Sequence, residues 1–219
     1  MTARIREFLK HRKDEGPCLV VDLDVVRENY LSFAKSLPDS KVFYAVKANP
    51  APDILKLLVE LGACFDVASP GEIQAVLAAG APPERISYGN TIKKESEIAR
   101  AYQLGITLFA VDCEAEVEKI AHAAPGARVF CRILCDGAGA EWPLSRKFGC
   151  APEMAARVLE LAHRLGLVAH GLSFHVGSQP NLRDSGHSEP EPSQWMRQMT
   201  RAPGAARATF STSASQSTA

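Results

Sequence analysis

No apolar run in this sequence reaches the 18 or more residues that a membrane-spanning helix needs, and no signal-peptide core follows its charged first residues. An excess of either charge is missing too, since 25 basic residues balance 25 acidic ones. Proteins that bind nucleic acids or membrane surfaces usually carry a clear positive excess. We therefore expect neither a membrane nor a nucleic acid as a partner, and we expect the cytoplasm as the location.

Cysteine pairs at the spacing of metal sites or redox motifs are also missing. The six cysteines are scattered along the chain with no C-x-x-C pair. Most of the cysteines belong to apolar stretches such as ACFDVAS and VFCRILC, where a reduced cysteine packs like a small apolar residue. We therefore expect neither a disulfide framework nor a zinc site.

Short apolar runs rich in strand-forming residues recur at nearly constant spacing along the middle of the chain. They cover residues 42–49, 64–69, 86–90, 108–112, 128–134 and 170–176. Amphipathic helical patterns lie between them, at residues 52–61, 70–79, 94–104, 114–124 and 152–165. Glycine follows four of these helical patterns, as the left-handed end of a helix requires. The alternation predicts parallel β/α units whose helices cover apolar strands.

Two architectures share this alternation, the doubly wound sheet and the (β/α)8 barrel. A doubly wound sheet usually has a glycine-rich phosphate-binding turn after its first strand, and here KANPAP occupies that place. We therefore predict an α/β fold of the barrel type. A complete barrel needs eight units and the sequence offers six strands, so the predicted barrel, over residues 41–179, is incomplete.

The two ends of the chain differ from this array. Residues 1–40 predict a charged helix, a strand and a second helix, over 2–13, 18–24 and 25–36 respectively. Residues 180–219 contain no valine or isoleucine, and their composition is typical of disordered tails. Two interpretations of this segment remain open: a low-complexity regulatory tail, or a reading frame that shifts near Gln179.

Polar residues gather where the predicted strands end, at the edge of a β/α barrel that carries catalytic groups. They are Lys47, Asp66, Asn90, Asp112, Arg132 and His175, with Ser178 just beyond the sixth strand. Because Lys47 follows an apolar strand, we expect its ammonium to be paired, desolvated or held in a polar barrel mouth. A desolvated lysine has a depressed pKa and attacks carbonyl groups, as a Schiff-base enzyme requires. The alternative is a lysine that merely extends from a strand end into water.

Three more residues have both a structural and a functional interpretation. Asp66 could hold a cationic group near Lys47 or be an ordinary carboxylate at a strand end. Glu72 belongs to the S-P-G-E sequence that starts at Ser69, a capping box with proline at the first helical position, and it could also line a site. His175 could be a satisfied core histidine or a flat ring that stacks on a planar cofactor.

Two further positions would suit an anionic ligand. Arg132 lies within a strand and needs a negative partner, either a buried carboxylate or a ligand. Gly177 and Ser178 follow the sixth strand, where a backbone amide and a hydroxyl form a combination that binds phosphate.

Together these motifs resemble the fold-type III pyridoxal-phosphate decarboxylases, the group that contains ornithine, lysine, arginine and diaminopimelate decarboxylases, with alanine racemase as a more distant relative. The resemblance covers roughly residues 17–179 and rests on FYAVKANP, FDVASPGEI, ISYGNTIKK, FAVD, SRKFG and SFHVGSQ, in that order. The sequences YGNTIKK and EWPLSRKFGC are most similar to bacterial ornithine decarboxylases. The resemblance implies a pyridoxal-binding α/β barrel and decarboxylation of a basic amino acid.

The resemblance also implies a role for each matching residue. Lys47 would hold pyridoxal 5'-phosphate through an imine bond, His175 would stack on its ring, and Ser178 would bind its phosphate. The rest of the cofactor pocket would be lined by Asp66, Glu72 and Arg132. Lys147 would lie at the interface of a homodimer. The implied substrate, ornithine, would lose carbon dioxide to give putrescine, a step of polyamine biosynthesis.

Later elements of the family pattern cannot be found after Gln179. The sequence there has no glycine-rich phosphate-binding strand, no acidic residue for the pyridine nitrogen, no barrel closure and no C-terminal β-domain. The strand predicted over 18–24 would normally join that β-domain, so here it lacks a sheet. We therefore expect the 219-residue chain to be an inactive fragment that is aggregated or partly folded.

Three functional hypotheses remain open. The first is a decarboxylase of ornithine, or of lysine or diaminopimelate, that is truncated or out of frame in this sequence. The second is a pyridoxal-phosphate carrier without catalysis, which would need a closed barrel and a phosphate-binding loop. The third is a catalytically inactive protein that binds a full-length paralogue, as antizyme inhibitor-like proteins do.

Overall fold

The computed structural model describes residues 1–134 and 148–175. Its helices are α1 (Ala3–His11), α2 (Leu23–Ser36), α3 (Pro52–Glu60), α4 (Pro70–Ala78), α5 (Glu95–Gln103), α6 (Glu114–Ala123) and α7 (Pro152–Arg164). Its strands are β1 (Phe43–Ala45), β2 (Cys64–Val67), β3 (Ile86–Tyr88), β4 (Leu108–Val111), β5 (Arg128–Arg132) and β6 (Val168–Ser173). Short 3-10 turns cover Val46–Ala48 and Pro83–Arg85. In this part of the chain no helix is both long and apolar enough to cross a membrane.

The helices begin and end at residues that local chemistry favours. Proline occupies the first turn of α3, α4 and α7, where its missing N–H costs nothing. The hydroxyl of Ser69 accepts the backbone N–H of Glu72 and caps α4. Gly80 follows α4 with a φ of 95°, a left-handed conformation that residues with side chains avoid. The glycines after α3, α5 and α7 also have positive φ, and the predicted helix ends are confirmed.

The six strands form one parallel sheet in the order β1-β2-β3-β4-β5-β6. Each strand pairs with the next one along the chain, with registers such as Ala45 opposite Asp66 and Asp66 opposite Ser87. A doubly wound sheet reverses its strand order at one point. This sheet has no reversal, so the predicted α/β fold of the barrel type is confirmed for the units that the structure describes.

The two faces of the sheet differ because side chains alternate along each strand. The helix-facing side forms a continuous apolar core around fully buried side chains such as Phe65, Tyr88 and Phe109. A smaller apolar cluster consists of Phe43, Cys64, Leu108, Ala110 and Phe130. Asp66 and Arg132 each follow a member of the smaller cluster by two residues. The alternation therefore carries their polar side chains onto that same face, nearer the carboxyl ends of the strands.

Two predictions about the N-terminal part are wrong. Residues 18–24 form no strand, because extended backbone needs a neighbouring strand for its hydrogen bonds and no described residue supplies one. Leu19, in the middle of this segment, is 84% exposed. α2 begins at Leu23, two residues earlier than predicted, because the Asp22 side chain accepts the backbone N–H of Asp24 and caps the helix there.

Candidate active site

A cleft of about 220 Å³ lies at the carboxyl ends of the strands. It brings together every predicted site residue that lies within the described ranges, namely Lys47, Asp66, Glu72, Arg132 and His175. Two other predicted residues, Ser178 and Lys147, lie outside those ranges. The cleft is therefore built at the ends of five strands, β1, β2, β3, β5 and β6, and by α4.

Asp66 is the most deeply placed acid of the cleft. It belongs to β2, and the Ser87 hydroxyl donates a hydrogen bond of 2.8 Å to its Oδ1. Burial raises the pKa of Asp66 to about 6, while the Ser87 hydrogen bond and the charges of Lys47 and Arg132 act in the opposite direction. Asp66 is therefore a carboxylate at neutral pH, but one held in place by nearby cations and a hydroxyl.

Lys47 lies on the rim of the cleft. β1 ends at Ala45, and the 3-10 turn carries Lys47 beyond the end of the strand. Lys47 is exposed at the polar mouth of the cleft. This exposure fits a lysine held in the mouth and also a lysine that extends from a strand end into water, but it does not fit a desolvated ammonium. Its charge still acts on the site, since it adds to burial in lowering the pKa of His175 and opposes the effect of burial on Asp66.

Glu72 has both of the roles that its position in the sequence suggested. Its backbone N–H donates to the Ser69 hydroxyl at 3.3 Å, and its Oε2 accepts the backbone N–H of Ala68 at 2.8 Å. The second bond falls one residue before the position found in a standard capping box. Glu72 also lines the cleft, where its charge adds to burial in raising the pKa of Asp66.

Arg132 is the last residue of β5 and is half-buried. Burial lowers its pKa, and the carboxylates of Asp112 and Asp66 favour its charged form. Its guanidinium lies 5.6 Å from the centre of the Phe148 ring, within the range of a cation–π interaction. The negative partner expected for Arg132 was either a buried carboxylate or a ligand. Carboxylates face its guanidinium, and the cleft is also open to a ligand.

His175 follows the end of β6 by two residues and is half-buried beside the cleft. Burial lowers its pKa below the usual value of 6.5, and the positive charges of Arg132 and Lys47 lower it further. The imidazole is consequently neutral at physiological pH. A neutral, partly covered ring at the rim of a cleft is suited to stacking on a flat ligand.

Ser87 and Gly89 were not predicted as site residues. Ser87 is only 4% exposed, and a side chain at Gly89 would overlap the Asp66 carboxylate. A signal was available in the sequence, because a serine within the apolar run ISYGN has few structural reasons to be there. Its contact with Asp66, however, depends on the register of β2 and β3, which the sequence alone does not give.

A larger cavity, of about 650 Å³, lies between α1, α2 and α3. Its lining mixes acids and bases, including Asp22, Asp24, Arg27 and Lys56. None of the predicted site residues that the structure describes lines this cavity. Its mixed charges have no arrangement that suits one ligand class, so cavity size alone does not identify the candidate active site.

Comparison with known proteins gives this fold and cleft a family context. Residues 23–187 match the family model described as pyridoxal-dependent decarboxylase, pyridoxal binding domain. The chain is 42% identical over 166 residues to antizyme inhibitor 2 of Xenopus laevis, and the aligned region covers 76% of this chain and 36% of that protein. It is also 42% identical over 163 residues to the lysine/ornithine decarboxylase of Selenomonas ruminantium, and here the aligned region covers 74% of this chain and 42% of that enzyme.

A solved structure has the same architecture over the shared region. The lysine/ornithine decarboxylase of Vibrio vulnificus, complexed with putrescine, matches with a TM-score of 0.71 and 32% identity. The match covers 82% of this chain and 48% of that one. This chain therefore spans less than half the length of the relatives that it matches.

Proposed function

The chain belongs to the pyridoxal-dependent decarboxylases and carries their pyridoxal-binding domain, and from this premise we propose that its cleft binds pyridoxal 5'-phosphate through Lys47 for the decarboxylation of a basic amino acid. The proposed reaction converts L-ornithine to putrescine and carbon dioxide. The observation that carries the proposal is the convergence of Lys47, Asp66 and Arg132 on one cleft with a neutral His175 ring.

The residues of the cleft have the chemistry that this cofactor requires. An aldehyde needs an accessible primary amine, and Lys47 is exposed at the rim. A flat pyridine ring needs a flat partner, and His175 offers a neutral imidazole. The cofactor's negative charges need cations, and Lys47 and Arg132 supply two of them. We also assign phosphate binding to Ser178, which lies beyond the described residues.

When bound, the cofactor supplies an electron sink that accepts the electrons left behind as the substrate's carboxylate departs. The protein's part is binding and orientation. Lys47 would hold the cofactor through its amine, and His175 would orient the ring by stacking. The Asp66 and Arg132 side chains give the cleft one negative and one positive charge, and Glu72 holds the start of α4 next to the cleft.

Substrate choice among basic amino acids is the finer part of the proposal. The Selenomonas ruminantium relative is named for both lysine and ornithine, and the Vibrio vulnificus structure holds putrescine, the product expected from ornithine. We favour ornithine, with lysine or diaminopimelate as the alternatives. A homodimer with Lys147 at its interface and a cytoplasmic location belong to the same proposal.

A second candidate function follows from the 42% identity to antizyme inhibitor 2 of Xenopus laevis. On this reading the chain would be a binding protein that regulates or accompanies a full-length paralogue. A pyridoxal-phosphate carrier without catalysis is an intermediate case. Cofactor attachment separates the binding protein from the other two, and response to ornithine separates the carrier from the decarboxylase.

The test uses cofactor retention by the 219-residue chain. Pyridoxal phosphate is added, the sample is reduced with borohydride, and the cofactor that stays on the protein is measured. Retention should be lost in Lys47→Ala and kept in the control Lys56→Ala, which removes an exposed lysine of α3. L-Ornithine added before reduction should lower retention, because its amine replaces the lysine, whereas L-alanine should be much less effective. No retention by the unmodified chain contradicts the proposal.

A further inference from the structure

Ser87 carries a buried hydroxyl that contacts Asp66, an acid of the candidate active site. It lies in the middle of β3 directly opposite Asp66 of β2. Its Oγ lies 2.8 Å from Asp66 Oδ1 and 3.5 Å from the carbonyl oxygen of Phe65. A hydroxyl has one hydrogen to donate, and the shorter, charged partner is the stronger acceptor. The hydrogen therefore goes to the carboxylate of Asp66.

The backbone of Gly89 limits the same carboxylate from another direction. The Gly89 N–H donates to the carbonyl of Val67 at 2.9 Å and so fixes the end of β3 against β2. An added Cβ at Gly89 would overlap the Asp66 carboxylate, so these groups lie in close contact. Asp66 thus has little freedom to turn away from the Ser87 hydroxyl.

Charged groups face the Asp66 carboxylate from every element around it. Lys47 lies on the turn after β1 and Arg132 at the end of β5, both positive, while Glu72 of α4 is negative. His175, after β6, lines the same cleft. Lys47 is exposed on the rim, and Arg132 also interacts with Asp112. Neither cation is therefore committed to Asp66 alone through a short hydrogen bond. Within the described residues, Ser87 is the hydrogen-bond donor found for this carboxylate.

We propose that Ser87 is a positioning residue, whose hydroxyl holds the Asp66 carboxylate in one orientation and keeps it ionised as the counter-charge of the cleft. The inference rests on the proposed function in one respect, since a fixed counter-charge serves to orient the cofactor next to Lys47. The contact itself is independent of that function. Ser87 would touch neither cofactor nor substrate and acts only through Asp66.

A direct measurement of Asp66 tests the contact. The 219-residue chain is labelled with ¹³C at aspartate carboxyl carbons, and the Asp66 signal is identified by its loss in Asp66→Asn and titrated by NMR. Ser87→Ala should raise the pKa of Asp66 by about one pH unit, because a donor to a charged acceptor is lost. Ser87→Thr keeps a hydroxyl and should restore the original titration. Ser36→Ala, which removes a serine hydroxyl of α2 remote from the cleft, should change nothing.

A double-mutant cycle tests whether the contact matters for the site. Retention of pyridoxal phosphate after borohydride reduction is measured at neutral pH for Ser87→Ala, Asp66→Asn and the combined variant. Ser87→Ala should weaken retention several-fold when Asp66 is present and have no further effect in the Asp66→Asn background. An equal loss in both backgrounds would mean that Ser87 acts through general packing, and this would overturn the inference.

The two experiments separate the failure of this inference from the failure of the proposed function. If the Asp66 titration is unchanged in Ser87→Ala, the positioning role is wrong even if the chain binds the cofactor. If the titration moves as expected but the unmodified chain retains no pyridoxal phosphate, the Ser87–Asp66 contact stands and the proposed function is wrong.

Discussion

Ionisation of the buried Asp66 carboxylate lowers the stability of the fold. Its pKa of about 6 in the folded chain lies above the ordinary value of 3.8, chiefly because of burial. As pH rises from 3.8 to about 6, the unfolded chain therefore releases this proton before the folded chain does. Ionised Asp66 thus destabilises the fold, in contrast to the usual salt-bridged aspartate. The cost approaches about 3 kcal/mol above pH 6.

Asp66→Asn should consequently stabilise the chain at neutral pH by up to about 3 kcal/mol, and by almost nothing below pH 3.8. Urea unfolding of the two proteins across this pH range measures the difference. Asp53→Asn, at an exposed acid of α3, is the control and should not show this pH dependence. A difference between Asp66→Asn and the original chain that stays constant with pH would contradict the assignment.

His175→Ala should weaken cofactor binding without preventing its attachment to Lys47. Stacking contributes about 0.5–1.5 kcal/mol, so the affinity for pyridoxal phosphate should fall roughly two- to thirteen-fold. Titration of the cofactor followed by borohydride reduction checks both parts. Complete loss of attachment with the fold intact would show that His175 does something other than stack.

For individual residues, the sequence predicted which side chains line the cleft but not the exposure or the hydrogen-bond partner of each one. Lys47, Asp66, Arg132 and His175 were found because polar side chains at the ends of apolar strands need a reason to be there. The sequence left open whether Lys47 is desolvated or extends into water, because the 3-10 turn that follows β1 is decided by tertiary contacts rather than by local sequence. The partnership of Ser87 with Asp66 was missed because it depends on strand register.

Among the elements, the segment between β3 and α5 is fixed by a buried lysine. The Lys93 side chain has no exposed surface, and its Nζ donates to the carbonyl of Asn90 at 2.8 Å and to that of Ala110 in β4 at 2.6 Å. It also pairs with Glu116 of α6 at 3.4 Å. Burial lowers the pKa of Lys93 to about 8, and Glu116 opposes this effect. The segment that carries Asn90 to the cleft is thus tied to two other elements.

Lys93→Met should destabilise the chain by about 3 kcal/mol. The buried carboxylate of Glu116 would lose one of the two lysines that pair with it and keep Lys119, which is partly exposed. Adding Glu116→Met removes that charge and should recover much of the loss. Urea midpoints of the single and double variants measure this directly. If the double variant is no more stable than Lys93→Met, the ion pair is not the source of the effect.

The elements differed in how far the sequence could predict them. Helices carry local signals, and prolines, capping serines and terminal glycines placed their ends within one or two residues. Strands depend on partners, so the strand predicted over 18–24 is absent where no neighbour pairs with it. The predicted strand over 42–49 is shortened to Phe43–Ala45 for a similar reason, since its pairing with β2 extends no further.

At the scale of the whole molecule, the order of β/α units was predictable because each unit repeats the same local pattern. In the described part, β1 and β6 are each paired on one side only. Closure between them depends on contacts that no local pattern reports. The domain limits at 40 and 179 stay predictions, and the segment 180–219 lies outside the described residues.

We expect the 219-residue chain to release no carbon dioxide from L-ornithine with added pyridoxal phosphate. Within the described residues β1 and β6 are each paired on one side only, so these residues supply no strand that shields the cleft between β6 and β1 from water. Carbon dioxide release from carboxyl-labelled ornithine measures this, with an active ornithine decarboxylase as the positive control. Measurable turnover by the purified chain would contradict this expectation.

Lys47 is proposed as the residue that holds pyridoxal phosphate. Peptide mapping by tandem mass spectrometry tests this assignment, after the chain is loaded with cofactor near stoichiometry and reduced with borohydride. We expect one dominant modified peptide, with the added mass on Lys47, and no such peptide from Lys47→Ala. Equal modification of many exposed lysines, or a dominant adduct on any lysine other than Lys47, would contradict it.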